Sequence, residues 1–381
     1  MRSASSSVLR VAVGALAALV VTSCSDTTST APLRSCATVD PAWRHVFPGR
    51  VPRAVANATG GCGDVLVAFD DGVDELTSDG IRCARHLWPK TFAATVPLAK
   101  SRAVPGGILI ANGARQVVKV TAQATTVWLD LPAAPSIDTI TDFDESPCGE
   151  RYAVDDYNLW RLDDSGVKMW SQPGTDFGSI AATCSGVFAA IDFFPDGLGG
   201  TATHWSPTGA ANGPFHLTNP PYDIDAATVI GHVGDLLVAS VDDEDAAMRS
   251  SKRAVIVDAA GTLQAQIPLA HCDVWDTPQP VTPCVQEDAL SAVEWPAGQV
   301  AWIVQVNSAE CPGKGCSVTY RIESRSGTGQ LLFSRTLTTT GETVSQIWPT
   351  ADGGLVLSGT TGAIDGLLVR LPACALNPEA P

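Results

Sequence analysis

From Cys36 onward the chain shows no sustained apolar spacing of three to four residues, the mark of an amphipathic helix. Its apolar residues fall instead in short runs of β-formers, broken by Gly, Pro, Asp and Asn. The last stretch displays the unit most clearly. Glu342-Thr-Val-Ser-Gln-Ile-Trp348 alternates, Asp352-Gly-Gly-Leu-Val-Leu-Ser-Gly359 opens on a tight Gly turn, and Asp365-Gly-Leu-Leu-Val-Arg-Leu371 follows. This order predicts three strands joined by turns. Counterparts of the middle strand begin near Val65, Ile108, Tyr152, Val187, Leu236, Val300 and Leu355, at a mean separation of about 48 residues.

A hairpin completes several units. Leu159-Trp-Arg-Leu-Asp-Asp-Ser-Gly166 runs into Val167-Lys-Met-Trp170, and Ala254-Val-Ile-Val-Asp-Ala-Ala-Gly261 runs into Thr262-Leu-Gln-Ala-Gln-Ile. Tyr320-Arg-Ile-Glu-Ser-Arg-Ser-Gly327 precedes Gln330-Leu-Leu-Phe-Ser-Arg-Thr-Leu337 in the same way. This hairpin, with the Asp-Gly-Gly-Leu-Val-Leu-Ser-Gly run, resembles the repeat of many bacterial β-propellers, and the likeness covers most of residues 60–371. It implies an all-β propeller of seven blades, six or eight being the other counts the degenerate repeats allow. A four-stranded sheet cannot bury both faces by itself, whereas a ring of blades buries each sheet against its neighbours. Closing the ring requires one more strand, which Ala42-Trp-Arg-His-Val46 could add to the last blade. A pair of β-sandwiches or a β-helix are the competing all-β solutions. The chain is long for one sandwich, and its repeats are too long for β-helix rungs.

The first residues read differently. Arg2 and Arg10 flank a polar start, an apolar run covers Val11 to Val21, and Thr22-Ser23-Cys24 follows. A charged start, a short apolar stretch and small residues before a cut site make a secretory signal. The run is shorter than the roughly 20 apolar residues needed to span a bilayer. Val21-Thr-Ser-Cys24 resembles the lipobox of bacterial lipoproteins. That resemblance implies cleavage before Cys24 and attachment of acyl chains such as palmitate to it. Residues 1–23 are then the signal peptide, 24–35 a Ser- and Thr-rich tether, 36–376 the propeller domain and 377–381 a C-terminal tail. The expected location is the cell envelope, lipid-anchored, at the outer membrane where the cell has one, because Ser25 rather than Asp follows the cysteine.

The chain has 11 cysteines. Setting Cys24 aside leaves an even number in an exported protein, which reads as disulfides. Pairing neighbours gives Cys62–Cys83, Cys148–Cys184, Cys272–Cys284 and Cys311–Cys316, leaving Cys36 and Cys374 at the two ends of the domain. A Cys36–Cys374 bridge would close a loop worth about 5–6 kcal/mol in the chain-entropy model. No Cys-x-x-Cys pair is present, and Cys311-Pro-Gly-Lys-Gly-Cys316 has the wrong spacing for zinc or redox chemistry.

Charge limits the partners. The 381 residues carry 24 basic and 40 acidic side chains, and losing Arg2 and Arg10 with the signal leaves 22 against 40, a net −18. Such a surface repels nucleic acid, so none is expected as a partner.

Local catalytic motifs are absent: no Gly-x-Ser-x-Gly elbow, phosphate loop or His-Glu-x-x-His helix occurs. His45, His86, His204, His216, His232 and His271 stand singly and read as structural or exposed. Two acidic clusters are candidates for calcium, the one cofactor the sequence points to: Asp142-x-Asp144 near a turn, and Asp242, Asp243 and Asp245 in a long loop. Solvated charge is the plainer reading of both. Acids before first strands (Asp138, Asp176, Asp223, Asp225, Asp288, Glu342) could ring a cation at the channel mouth, or cap turns. Trp170 and Trp348 should pack between blades, and Trp275, beside Asp273 and Asp276, suits contact with a sugar or a protein. The expected function is non-catalytic: a membrane-anchored propeller binding an envelope protein or glycan through its rim loops. The rival is a carbohydrate-active or metal-assisted hydrolase at the channel mouth.

Overall fold

The structure, a computed structural model, describes residues 42–88, 100–111, 116–130, 140–155, 157–174, 177–191, 200–217, 226–244, 250–271, 284–309, 317–337, 341–362 and 364–373. Among them the strands form seven four-stranded antiparallel sheets, and in six of these the spatial order follows the chain order. The six blades span 54–86, 100–130, 142–173, 177–216, 226–269 and 284–337. The seventh takes three strands from 342–371 and its outermost strand from Trp43–Phe47. The seven middle strands anticipated from Val65 to Leu355 are the second strands of the seven blades. The protein is a seven-bladed β-propeller.

Why these runs become second strands follows from where they lie. An inner strand of a blade has a neighbouring blade on each face, so it must be apolar on both. Val65-Leu-Val-Ala-Phe69 and Gly107-Ile-Leu-Ile-Ala111 are buried throughout. Outermost strands alternate instead, as Leu331–Leu337 does between exposed and half-buried positions. No single core exists. Apolar clusters occupy each of the seven interfaces between consecutive blades, for example Leu66 and Val73 against Ile108 and Val118, and Val238 and Ile256 against Val300 and Trp302. The cluster that joins the seventh blade to the first sets Val67 and Phe69 against Val356 and Leu368.

Ring closure comes from the strand expected for it. Trp43–Phe47 pairs antiparallel with Asp365–Leu371, from Trp43 opposite Arg370 to Phe47 opposite Gly366. Phe47 then packs on Phe69 of the first blade at 5.0 Å between ring centroids.

The hairpin between third and fourth strands explains its sequence motif. In Thr77–Gly80, Asp163–Gly166, Ser206–Gly209, Asp258–Gly261 and Ser326–Gly329 the glycine N–H donates to the carbonyl three residues back. Each of these glycines has φ between 77° and 85°, a left-handed conformation that costs other residues about 1–2 kcal/mol. The glycine is required a second time for packing. A Cβ on Gly166 would lie 2.7 Å from the Trp128 carbonyl oxygen, and one on Gly261 would lie 2.8 Å from the Phe215 ring. Each turn therefore presses on the fourth strand of the blade before it. Aromatic residues on that strand complete the contact: Trp43 Nε1 donates to Ser78 O at 2.7 Å, and Trp170 Nε1 to Pro207 O at 3.0 Å. Trp170 thus packs between blades as expected, and Trp348 contributes to the clusters on both sides of the seventh blade.

Two expected disulfides are present. Cys62–Cys83 links the first turn of blade one to its outermost strand, and Cys148–Cys184 staples the first turns of blades three and four. With sequence separations of 21 and 36, the chain-entropy model assigns them about 3 and about 4 kcal/mol. Cys36, Cys374, Cys272, Cys311 and Cys316 lie outside the described residues, as does the Cys284 side chain.

The double duty of the turn glycine gives a test. Gly149 has φ 83° with nothing within 4 Å of its absent Cβ, so Gly149→Ala should cost only the conformational term, about 1–2 kcal/mol. Gly166→Ala adds a backbone collision and should cost about 1–3 kcal/mol more. Urea midpoints at unchanged m-value measure both.

Candidate functional site: the central channel

The first strands of all seven blades line the propeller axis, around a cavity of about 460 Å³. Its two walls differ. Blades two and three contribute charge, through Lys100, Arg102 and Asp144. Blades five, six and seven contribute bulged strands. The register shifts between Val229 and Gly231, between Ala289 and Ser291, and between Val344 and Gln346. The extra residues Ile230, Leu290 and Ser345 all line the cavity, as a bulge re-aims a side chain out of the pleat.

Arg102 is the hub of the charged wall. It projects from the first strand of blade two, Lys100–Val104. Its guanidinium reaches Asp142 Oδ2 at 2.8 Å and Asp144 Oδ2 at 2.9 Å, both on the first strand of blade three. Nη1 also donates to Ile180 O of blade four at 2.7 Å. Lys100 Nζ lies 2.9 Å from Asp142 Oδ1 and donates to Thr141 O. The carboxylates in turn accept from backbone N–H groups of blade four, Asp142 from Ile180 at 2.9 Å and Asp144 from Ala182 at 2.8 Å. A first strand has no partner on its axial edge, and its N–H groups need acceptors. Carboxylates of blade three supply them for blade four, while Arg102 of blade two donates to its Ile180 carbonyl.

Burial pushes the Asp144 carboxyl above its ordinary pKa, and the nearby Asp142 charge adds to this. Arg102, His232 and the Ala182 N–H pull in the other direction without cancelling it. Arg102 is held charged: burial disfavours its cation, but Asp142 and Asp144 outweigh that. His232, on the first strand of blade five, faces the cavity with Nδ1 buried and no hydrogen-bond partner among the described residues.

These positions correct the sequence reading of the acidic clusters. Asp142 and Asp144 are near a turn as read, the Ser146–Gly149 turn, but they lie on the axial strand that leads into it, each ion-paired to a cation. Calcium needs six to eight oxygen ligands, and these carboxylates face guanidinium and ammonium groups instead. Asp242 and Asp243 are not in a loop, because the second strand of blade five extends through Leu236–Glu244. Asp242 is opposite Lys252 in the ladder, and Lys252 Nζ lies 3.4 Å from it and 2.6 Å from Asp288. Asp288 is within a strand, and Glu342 pairs with Arg44. The Asp243 side chain, Asp245, Trp275, Cys24, Asp138, Asp176, Asp223 and Asp225 lie outside the described residues.

Two other constellations bring chemically active groups together. Ser185, His204 and Asp235 meet at the border of blades four and five, with Ser185 Oγ 3.5 Å from His204 Nε2. Asp235, however, accepts from the Ser185 N–H at 2.9 Å, so it caps a turn. Burial lowers the His204 pKa, and Asp235 opposes this only in part. Cys62, Glu75 and Cys83 cluster closely, but both sulfurs are in the disulfide and cannot ligate a metal.

The sequence reading missed Lys100 and Arg102, and it took His232 as structural or exposed rather than facing a cavity. A signal for the first two was present: Lys100-Ser-Arg102 and Asp142-Phe-Asp144 place opposite charges at alternate positions, one repeat apart.

No family model matches the chain, and no curated protein matches it. Among solved structures it is similar to the Pan2 WD40 domain of Neurospora crassa, at 12% identity over 85% of this chain and 90% of that one, TM-score 0.47. It is also similar to BBS1N, solved in complex with ARL6DN, at 10% identity over 87% and 96%, TM-score 0.48. Hsv2 of Kluyveromyces marxianus is similar at 10% over 81% and 90%, TM-score 0.43.

Removing the hub cation strands two carboxylates in a confined space. Arg102→Met should therefore destabilise the fold by about 3–5 kcal/mol, read by urea unfolding. Asp144 has a raised folded-state pKa, so the unfolded chain loses this proton first as pH rises above 3.8. Its contribution to stability is full below that value and is lost as pH climbs through the folded-state pKa. The stability of the native protein relative to Asp144→Asn should fall over this interval, since trends from other carboxylates are common to both. A pH-independent difference between the two proteins would show that Asp144 does not titrate this way.

Proposed function

We propose that this protein is a lipid-anchored envelope propeller that binds a protein partner through one end of the ring. The observation that carries the reading is the inequality of the two ends. Connections from first to second strands, and from third to fourth, leave one end and span two to seven residues. The long connections all leave the other: between His86 and Lys100, Asp130 and Asp142, Ile191 and Thr201, His216 and Ala226, and Leu269 and Cys284. Long connections on a rigid scaffold are where recognition concentrates.

Described residues at this second end support a protein partner in preference to a glycan. Leu87, Tyr157 and Ile364 project there, 68%, 63% and 67% exposed. The tight-turn end also exposes apolar side chains, Ile81 and Val167 among them, but it carries the protein's own packing through turn glycines and both described disulfides. A hydrolase in the channel is less well supported. Asp142 and Asp144 are each ion-paired, whereas glycoside hydrolysis needs an acid and a carboxylate free to reach the sugar.

A photo-crosslinking residue placed at Leu87, Tyr157 or Ile364, in cells, should trap a defined partner. The same residue at Val167 or Leu331, exposed at the tight-turn end, should not. Capture of the same partner with equal yield from both sets would reject this face as the binding surface.

A further inference from the structure

Strand direction fixes where the chain enters the propeller. Trp43 lies opposite Arg370, near the end of the third strand of blade seven. A third strand ends at the tight-turn end, so Trp43 begins there too. Two contacts hold this entry point: Ala42 N donates to Arg370 O at 2.9 Å, and Trp43 Nε1 donates to Ser78 O within a tight turn of blade one. The residues between Cys24 and Ala42 therefore join the propeller at its tight-turn rim.

We infer that the tight-turn end is the membrane-facing end, and that the long-connection end is presented away from the bilayer. This rests on the anchoring at Cys24 proposed above. The occupant of the space below the tight turns is the bilayer that holds the chain's own lipid.

About 17 residues separate Cys24 from Ala42; a polar coil of that length has a root-mean-square span of about 20–25 Å. Blade strands run from four to 11 residues, so the side wall of the ring is about 13–36 Å tall at ~3.3 Å per residue. With the tight turns downward, the linker needs only to bridge the gap to the headgroups. With the ring inverted, it must also climb the side wall, which takes up most or all of its span. The turn tips carry exposed carboxylates, including Asp79 and Asp164, which disfavour insertion among anionic headgroups. The tether sets the orientation, and the surface does not sink into the lipid.

The test uses the full-length acylated protein in phosphatidylethanolamine–phosphatidylglycerol vesicles carrying a headgroup energy-transfer acceptor. A fluorescent amino acid is introduced singly at Ile81, Val167 or Leu331 on the tight-turn rim, and at Leu87, Tyr157 or Ile364 on the opposite end. Transfer efficiency should be higher from every position of the first set. Inserting a long Gly-Ser segment after Pro32 should lower it and narrow the difference between sets. Equal or reversed efficiencies in protein whose Cys24 is shown by mass spectrometry to be acylated would overturn the orientation alone. A difference that ignores tether length would overturn the tether as its cause. An unmodified Cys24 would overturn the anchoring reading and this inference together.

Discussion

The constraint on which this molecule depends is that each blade is a sheet with two apolar faces. Val65–Phe69 and Gly107–Ala111 are buried along their whole length, and no face of such a strand can be left to water. Each sheet must be covered by another on both sides, and the only arrangement with no uncovered sheet is a closed ring. Stability is therefore divided among seven interfaces rather than gathered in one core. A defect in one interface leaves two faces uncovered, which is why the last interface takes such care. Trp43–Phe47 is brought from the far end of the chain to pair with Asp365–Leu371, and Phe47 is then set against Phe69 across the seam.

Closing the ring solves the faces but creates a second problem along the axis. The first strand of every blade has a free edge that points into a narrow channel. The molecule handles this in two ways. Blades two and three direct Arg102, Asp142 and Asp144 at the backbone of blade four, so that side chains replace the missing strand. Blades five to seven bulge, as blade four also does, which breaks the ladder and turns Ile230, Leu290 and Ser345 into the cavity. The charge network is thus a consequence of the architecture before it is anything else. Its members are chosen to satisfy one another, and for that reason the acids make poor metal ligands.

How far the sequence could be read depended on the range of the interaction involved. The second strands were legible because full burial leaves an unbroken apolar run. The turns were legible because a left-handed residue demands glycine at one fixed position, as at Gly166 and Gly261. The closing strand was legible because the last repeat lacked a member and Trp43–Phe47 had none of its own. Cys62–Cys83 and Cys148–Cys184 followed from short separations. The channel was not legible from local pattern. Asp142 and Asp144 read as calcium candidates near a turn because four residues from Asp142 to Glu145, three of them acidic, do not resemble a strand. Only the contact with Lys100 and Arg102, one blade earlier, makes them tolerable there. Asp242 and Asp243 failed for a related reason: the ladder with Lys252 and Ser251 carries that strand past its apolar part.

The two ends of the ring are unequal for a reason that lies in the same physics. At the tight-turn end, each turn between third and fourth strands touches the preceding blade, so its length and sequence are fixed by packing. Gly261 cannot change without moving Phe215, and Pro207 cannot move without losing the indole of Trp170. The connections at the other end join strands that are already held by their ladders. They are free to lengthen at an entropic cost that grows only slowly with length. One end of a propeller can therefore be fixed by folding while the other is open to selection for binding. A chain that enters at the fixed end keeps its tether away from the variable one, and leaves that surface unobstructed for whatever it recognises.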